Sequence, residues 1–287
     1  MLQVARLAPA LLGEAAGRVV EFLQGQLNED GGAKDRAGDS DLYYTVFLLD
    51  GMVGLRAEPP VEQVLPYLRR FGDGAGLDFV HLACLARCLA SMPAEAAGED
   101  LRRRIAERIE KHRTPDGGYA SRDEGRVATV YNAFLALGAY QDLGLQIPRP
   151  EELIANVRAQ RSGDGAFANG AGMAVGNTPA TAAAATLLRY LGEPVAPEVS
   201  DWLLARCSEH GGFLVMPQAP LPDLLSTATA LHALAGLQAP LDAIREPCLD
   251  FVDSLWTGKA FCGHWSDDIE DCEYTYYGLL AIGHLSL

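Results

Sequence analysis

The chain alternates two kinds of apolar pattern. The first is amphipathic. In residues 9–27, Leu11, Leu12, Ala15, Val19, Phe22 and Leu23 share one face of a 3.6-residue period. Segments 61–71, 94–113, 150–160, 197–207 and 241–255 repeat this pattern. Segment 94–113 runs its apolar face through Leu101, Ile105 and Ile109, and 150–160 opens on a proline followed by Glu151 and Glu152, a favourable helix start. The second kind is apolar almost all round, in 41–55, 78–91, 127–140, 178–191, 224–237 and 272–285. A helix apolar on every side needs neighbours on every side, so these segments predict buried helices. No segment shows the two-residue alternation of a half-buried strand.

Each buried segment follows a similar loop. Gly31-Gly32-Ala33 precedes Asp41-Leu42-Tyr43-Tyr44-Thr45, and Asp116-Gly117-Gly118 precedes the helix at 127. Asp164-Gly165-Ala166-Phe167 precedes Pro179-Ala180-Thr181, and Gly211-Gly212-Phe213 precedes Asp223-Leu224-Leu225-Ser226-Thr227. Cys262-Gly263-His264-Trp265 precedes Asp271-Cys272-Glu273-Tyr274-Thr275, while Gly74-Ala75-Gly76 before Asp78 is a weaker copy. Glycine reaches the backbone angles that such turns demand. The result is six loop-plus-buried-helix units. Six buried helices alternating with six amphipathic ones predict an all-α fold: an inner ring inside an outer ring, a closed (α/α)6 toroid spanning 1–287 as one domain. An open solenoid would end on a polar capping face. The last segment, with Tyr276, Tyr277, Leu279, Leu280 and Ile282, has none, so 272–285 is expected to touch 41–55.

Composition agrees. A hydrophobic share of 49% in 287 residues supplies a large core. No apolar run is long enough to span a bilayer, and Glu14, Arg18 and Glu21 near the start argue against a secretory leader, so the expected compartment is the cytoplasm. Six irregularly spaced cysteines do not suggest a disulfide framework. A formal charge of −15 disfavours nucleic acid and anionic membrane surfaces as partners.

Gly-Gly-aromatic, a short loop, and Asp-x-x-Tyr-Thr opening a buried helix resemble the repeat of the prenyltransferase and terpene-cyclase superfamily. The resemblance spans essentially the whole chain, and in layout it is nearest the β subunit of protein prenyltransferases. It implies an apolar, aromatic-lined central cavity for an isoprenoid or another apolar small molecule, and allows a protein partner. Tyr43, Tyr44, Tyr131, Tyr274 and Tyr277 are the expected cavity aromatics. The family's zinc motifs fall on Asp223-Leu224-Leu225 and on Asp271-Cys272-Glu273-Tyr274-Thr275. Leu225 stands where a cysteine ligand is expected and Tyr274 where a histidine is, so zinc at that place is not expected. The stretch 216–220 before Asp223 also lacks the cations that would grip a diphosphate.

The remaining candidate chemistry is acidic. Asp268-Ile269-Glu270-Asp271 resembles the Asp-x-Asp-Asp acid motif of class II terpene cyclases, with Glu270 at the place of the proton donor. Asp268, Glu270 and Asp271 are therefore the catalytic candidates. Those cyclases usually carry two helical domains, against one here. Ring closure would bring this loop near Asp41. Clustered carboxylates either hold a hard cation such as Mg²⁺ or raise one another's pKa and keep a proton. Asp41 and Asp223 are the metal candidates, although helix N-capping alone would explain both. Cys262, His264 and Cys272 match no known zinc spacing, and His81, Cys84 and Cys88 on one helical face read more readily as core than as a site. Two function classes stay open: an isoprenoid enzyme, either a diverged prenyltransferase or a small class II cyclase, and a non-catalytic lipid-binding or interaction scaffold.

Overall fold

The computed structural model describes residues 1–122 and 125–287. Asp123 and Glu124, in the loop before the third buried segment, lie outside the described residues. The inner helices are α4 (Leu42–Gly54), α6 (Phe79–Ala90), α8 (Val130–Asp142), α10 (Thr178–Tyr190), α12 (Leu224–Gly236) and α14 (Cys272–Leu285). Between them run the outer helices α3 (Ala15–Gly25), α5 (Val61–Arg69), α7 (Glu99–Glu110), α9 (Pro150–Ala159), α11 (Pro197–Leu204) and α13 (Asp242–Ser254). Each inner helix packs on the next, and α14 packs on α4, so the ring closes as the sequence implies. At the seam Phe47 meets Tyr276 and Tyr277 at ring-centroid distances of 5.8 and 5.5 Å.

The inner helices start in one way. Asp41, Asp78, Thr129, Asn177, Asp223 and Asp271 are their N-caps, and each side chain accepts a backbone N–H of the first turn. In four units a threonine four residues after the cap adds a second tie. Thr227 Oγ1 donates to Asp223 O at 2.7 Å and accepts from Phe213 N at 2.8 Å. Thr45 does the same between Asp41 O and Ala33 N, and Thr181 between Asn177 O and Phe167 N. Thr275 receives Phe261 N at 3.4 Å. All four threonines are fully buried. This is why Thr recurs in the repeat: its hydroxyl staples the glycine loop to the helix that follows.

The glycines serve the other side of the loop. Gly31 and Gly211 have φ of 91° and 78°, and a Cβ there would lie 2.0 Å from Gln63 O and 1.8 Å from Pro247 O. The loop thus presses on the backbone of the next outer helix, which only glycine permits.

Three local features depart from the sequence expectation. Segment 9–27 is broken at Gly13, φ 53°, into α2 (Ala8–Leu12) and α3. A short α1 (Leu2–Ala5) packs on α4 and α14. The threonine staples also draw two loops into two-residue antiparallel ladders, β1 (Ala33–Lys34) with β2 (Ser40–Asp41) and β3 (Phe213–Leu214) with β4 (Pro222–Asp223). Such strands are too short to leave an alternating pattern.

Replacing Thr227 by valine keeps the shape but strands the buried Phe213 N–H. Denaturant melts are expected to show a loss of about 1–3 kcal/mol. A variant as stable as the parent would show that the staple contributes nothing.

Candidate active site at the mouth of the ring

All six glycine loops precede inner helices, so they gather at one end, the mouth. The N-caps there fix which side chains face the axis. The residue two after each cap is Tyr43, Val80, Tyr131, Pro179, Leu225 or Glu273, and every one keeps accessible surface although its helix is otherwise packed. Four residues deeper stand Phe47, Cys84, Leu135, Ala183, Thr229 and Tyr277. The first layer therefore holds one carboxyl, Glu273, among apolar and aromatic neighbours.

Tyr43 Oη donates to Glu273 Oε1 at 2.5 Å across the α4–α14 seam. Burial raises the Glu273 pKa; the Tyr43 hydrogen bond opposes that, the Asp271 charge adds to it, and the result is about 7. Burial also lifts Tyr43, Tyr131 and Tyr277 well above an ordinary phenol. Glu273 on α14 lies within electrostatic reach of Tyr131 on α8, the helix opposite in the ring, and Tyr131 within reach of Tyr277.

The other candidates occupy the rim. Asp271 is buried, accepts from Tyr274 N at 2.8 Å, and receives Arg36 Nε at 2.8 Å. Arg36 also binds Asp267 at 2.8 Å, so one guanidinium ties the first loop to the last. Glu270 accepts from Thr257 Oγ1 at 2.6 Å and pairs with Lys259. Asp268 is exposed to solvent. Asp223 accepts from Ser226 N and Oγ, both at 2.7 Å, beside Tyr274. Tyr274 lies against Gly263, with the Arg36 guanidinium 5.3 Å from its ring centre, and Tyr44 is half-buried close to Asp271. The structure brings Asp41, Tyr43, Tyr44, Asp271 and Tyr277 around the seam; Asp268 and Glu270 stand on the outer side of the loop. Among the described residues no group of three or more His, Cys, Asp or Glu is arranged to hold a metal ion.

Asp41 joins a second ionic chain. His81 Nε2 meets Asp41 Oδ2 and its Nδ1 meets Asp78 Oδ2, each at 2.9 Å. The bond to Asp41, with that to Asp78, outweighs burial and raises the imidazole to about 9. His81 is therefore a cation bridging the caps of α4 and α6. The far end of the ring is polar too: Asp50 pairs with Arg87 at 2.6 Å, His232 Nδ1 lies 3.0 Å from His284 Nε2, and α1 packs across α4 and α14.

The profile of the prenyltransferase alpha-alpha toroid domain matches residues 79–193 and 180–286. The chain belongs to that family. No curated protein matches it. Among solved structures it is similar to a Candida albicans protein geranylgeranyltransferase-I complexed with GGPP, at 14% identity over 92% of this chain and 89% of that one, TM-score 0.66. It is also similar to the type II terpene cyclase MstE from Scytonema, at 13% identity over 100% of this chain and 98% of that one, TM-score 0.65. A protein from Actinoplanes is 17% identical over 95% of this chain and 98% of that one, TM-score 0.63. At these identities the likeness establishes the toroid and nothing finer. Among the described residues no helix is long and apolar enough to cross a membrane.

Glu273 escaped the motif reading because it sits between two motif positions, Asp271 and Tyr274. Aligning the six units on their caps would have exposed it: it occupies the register of Tyr43, Tyr131 and Leu225, which the fold turns to the axis.

His81 supplies a pH test. Its pKa is raised on folding, so its contribution is complete below about 6.5 and lost as pH rises through about 9. Thermal melts of the parent and His81→Gln should differ most near pH 6 and converge near pH 10. A gap independent of pH would remove the charged bridge.

Proposed function

We propose that this toroid binds an isoprenoid along its axis and cyclises it by protonation, with Glu273 as proton donor. The observation that carries the reading is the lone carboxyl in an axial layer of apolar and aromatic side chains, hydrogen-bonded by Tyr43. A carboxyl with a pKa near 7 is substantially protonated at neutral pH, as a general acid must be. Its Oε–H bond breaks as the proton adds to a terminal double bond. The π pair becomes a C–H bond and leaves a tertiary cation. A neighbouring double bond of the chain attacks that cation and closes a ring, and loss of a ring proton ends the sequence. The substrate is isomerised and the proton returned, so no oxidant or leaving group is needed. The faces of Tyr43, Phe47, Tyr131 and Tyr277 stabilise the cation as it moves inward.

The rim carboxylates act by charge in this reading. Asp271 helps to keep Glu273 protonated and, with Arg36, holds the seam closed; Asp41 and Asp223 serve as helix caps, Glu270 pairs with Lys259, and among the described residues these carboxylates form no group fit to hold Mg²⁺. Protonation itself requires no metal. The likeness to a transferase complexed with GGPP and to a type II terpene cyclase supports an isoprenoid ligand. Leu225 and Tyr274, in place of thiolate and imidazole, argue against zinc-thiolate transfer. The match to MstE over 98% of that chain supports cyclase chemistry within one toroid of this size.

The test is incubation with acyclic geranylgeranyl substrates and mass spectrometry for cyclised isomers. Glu273→Gln should lower turnover by about 10²–10⁴-fold. Turnover should fall as pH rises through about 7, where the acid loses its proton. Tyr43→Phe removes the bond that favours the carboxylate, so that limb should move to higher pH. EDTA should leave turnover intact. Unchanged activity in Glu273→Gln would sink the proton-donor assignment, and co-purifying lipid without turnover would put a binding scaffold in place of the enzyme.

A further inference from the structure

A cavity lies outside the ring axis, between the second and third units at the mouth end. It encloses about 420 Å³ and is open on one side. That lies within the usual range for small-ligand sites, about 300–1,000 Å³. Its walls are the loop before α6, the C-terminal end of α7 and the loop before α8. The charges there run against the rest of the molecule. The chain carries 38 acidic against 23 Lys and Arg side chains, yet among the described residues Arg108, Lys111 and Arg122 line this cavity with Asp78 as the one acidic wall residue. Asp78 is already committed, as cap of α6 and partner of His81.

The donors are also incompletely used. Arg108 binds Asp73 at 2.8 Å through one terminal nitrogen, while its buried Nε has no partner. His112 is 7% exposed, and its Nδ1 has no partner either. Among the described residues Lys111, on the surface at the cavity edge, pairs with no carboxylate. Two guanidinium groups and an ammonium lining one cavity suit a multiply charged oxyanion. The surrounding acidic surface would repel such an anion everywhere else.

We propose that this cavity is a binding site for a phosphate-type anion, either free or as the headgroup of an isoprenoid, held by Arg108, Lys111, His112 and Arg122. The site goes beyond the proton-donor reading and does not depend on it, since the group bound here is a handle and not a leaving group. Asp78 belongs both to this cavity and to the His81 bridge, which places the site beside the axial mouth.

Calorimetric titration with inorganic pyrophosphate tests it without turnover. Saturable one-to-one binding is expected, weakened by added sodium chloride. Lys111→Glu, a surface change, should weaken binding at least tenfold, and Arg108→Gln should do likewise, with thermal melts confirming that both variants fold. Geranylgeranyl diphosphate forms the second arm. Binding at least tenfold tighter than pyrophosphate identifies a lipid headgroup, and equal binding identifies a free anion; either supports the site. Absence of saturable pyrophosphate binding at millimolar concentration, or parental affinity in Lys111→Glu, overturns it.

Discussion

The start of each inner helix is the constraint on which this molecule depends. A side-chain cap satisfies first-turn N–H groups, and in three units a buried threonine hydroxyl ties the cap carbonyl to the preceding loop, while in the last unit Thr275 receives the loop's Phe261 N–H. Inner helices apolar all round carry little rotational information of their own, because any face would be content in the core. The cap and the staple supply it. They fix which residue is first in the helix, and hence which faces the axis. The outer helices carry no side-chain caps; their orientation comes from an apolar stripe instead.

Aspartate in this fold therefore has two uses that look alike along the chain. Most of the mouth carboxylates act as caps and partners. Asp41, Asp78 and Asp271 each accept first-turn N–H groups and each also meets a cation, His81 or Arg36. A net negative rim is thus held together by internal pairs, and these pairs lie across unit boundaries: Arg36 joins the first loop to the last, and His81 joins the first inner helix to the second. Glu273 differs because it is hydrogen-bonded by a phenol and paired with no cation; the charge of Arg36 offsets burial only in part, so its pKa stays raised.

The two ends of the ring are chemically distinct for the same reason. Near the mouth the helices present their N-termini, which favour acceptors. At the far end Arg87 is balanced by buried Asp50, and α1 lies across the helix ends. Gly283 allows this approach, since a Cβ there would lie 2.2 Å from Val4 O.

The sequence by itself determined the architecture. Alternation of one-sided and all-round apolar segments predicts two concentric rings, because a helix apolar on every side must be enclosed. The glycine turns and Asp-x-x-x-Thr spacing are local chemistry, so they were legible too. Tyrosines on the inner helices could be named from pattern, but not their neighbours. That Tyr43 reaches Glu273, that Arg36 reaches Asp267 and Asp271, and that His81 reaches Asp41 are contacts between residues up to 235 positions apart. Only ring closure and helix rotation decide them. Which carboxyl keeps a proton was likewise a tertiary outcome. Asp268 and Glu273 are ordinary acids five residues apart, and the fold leaves one in water and encloses the other among aromatic rings.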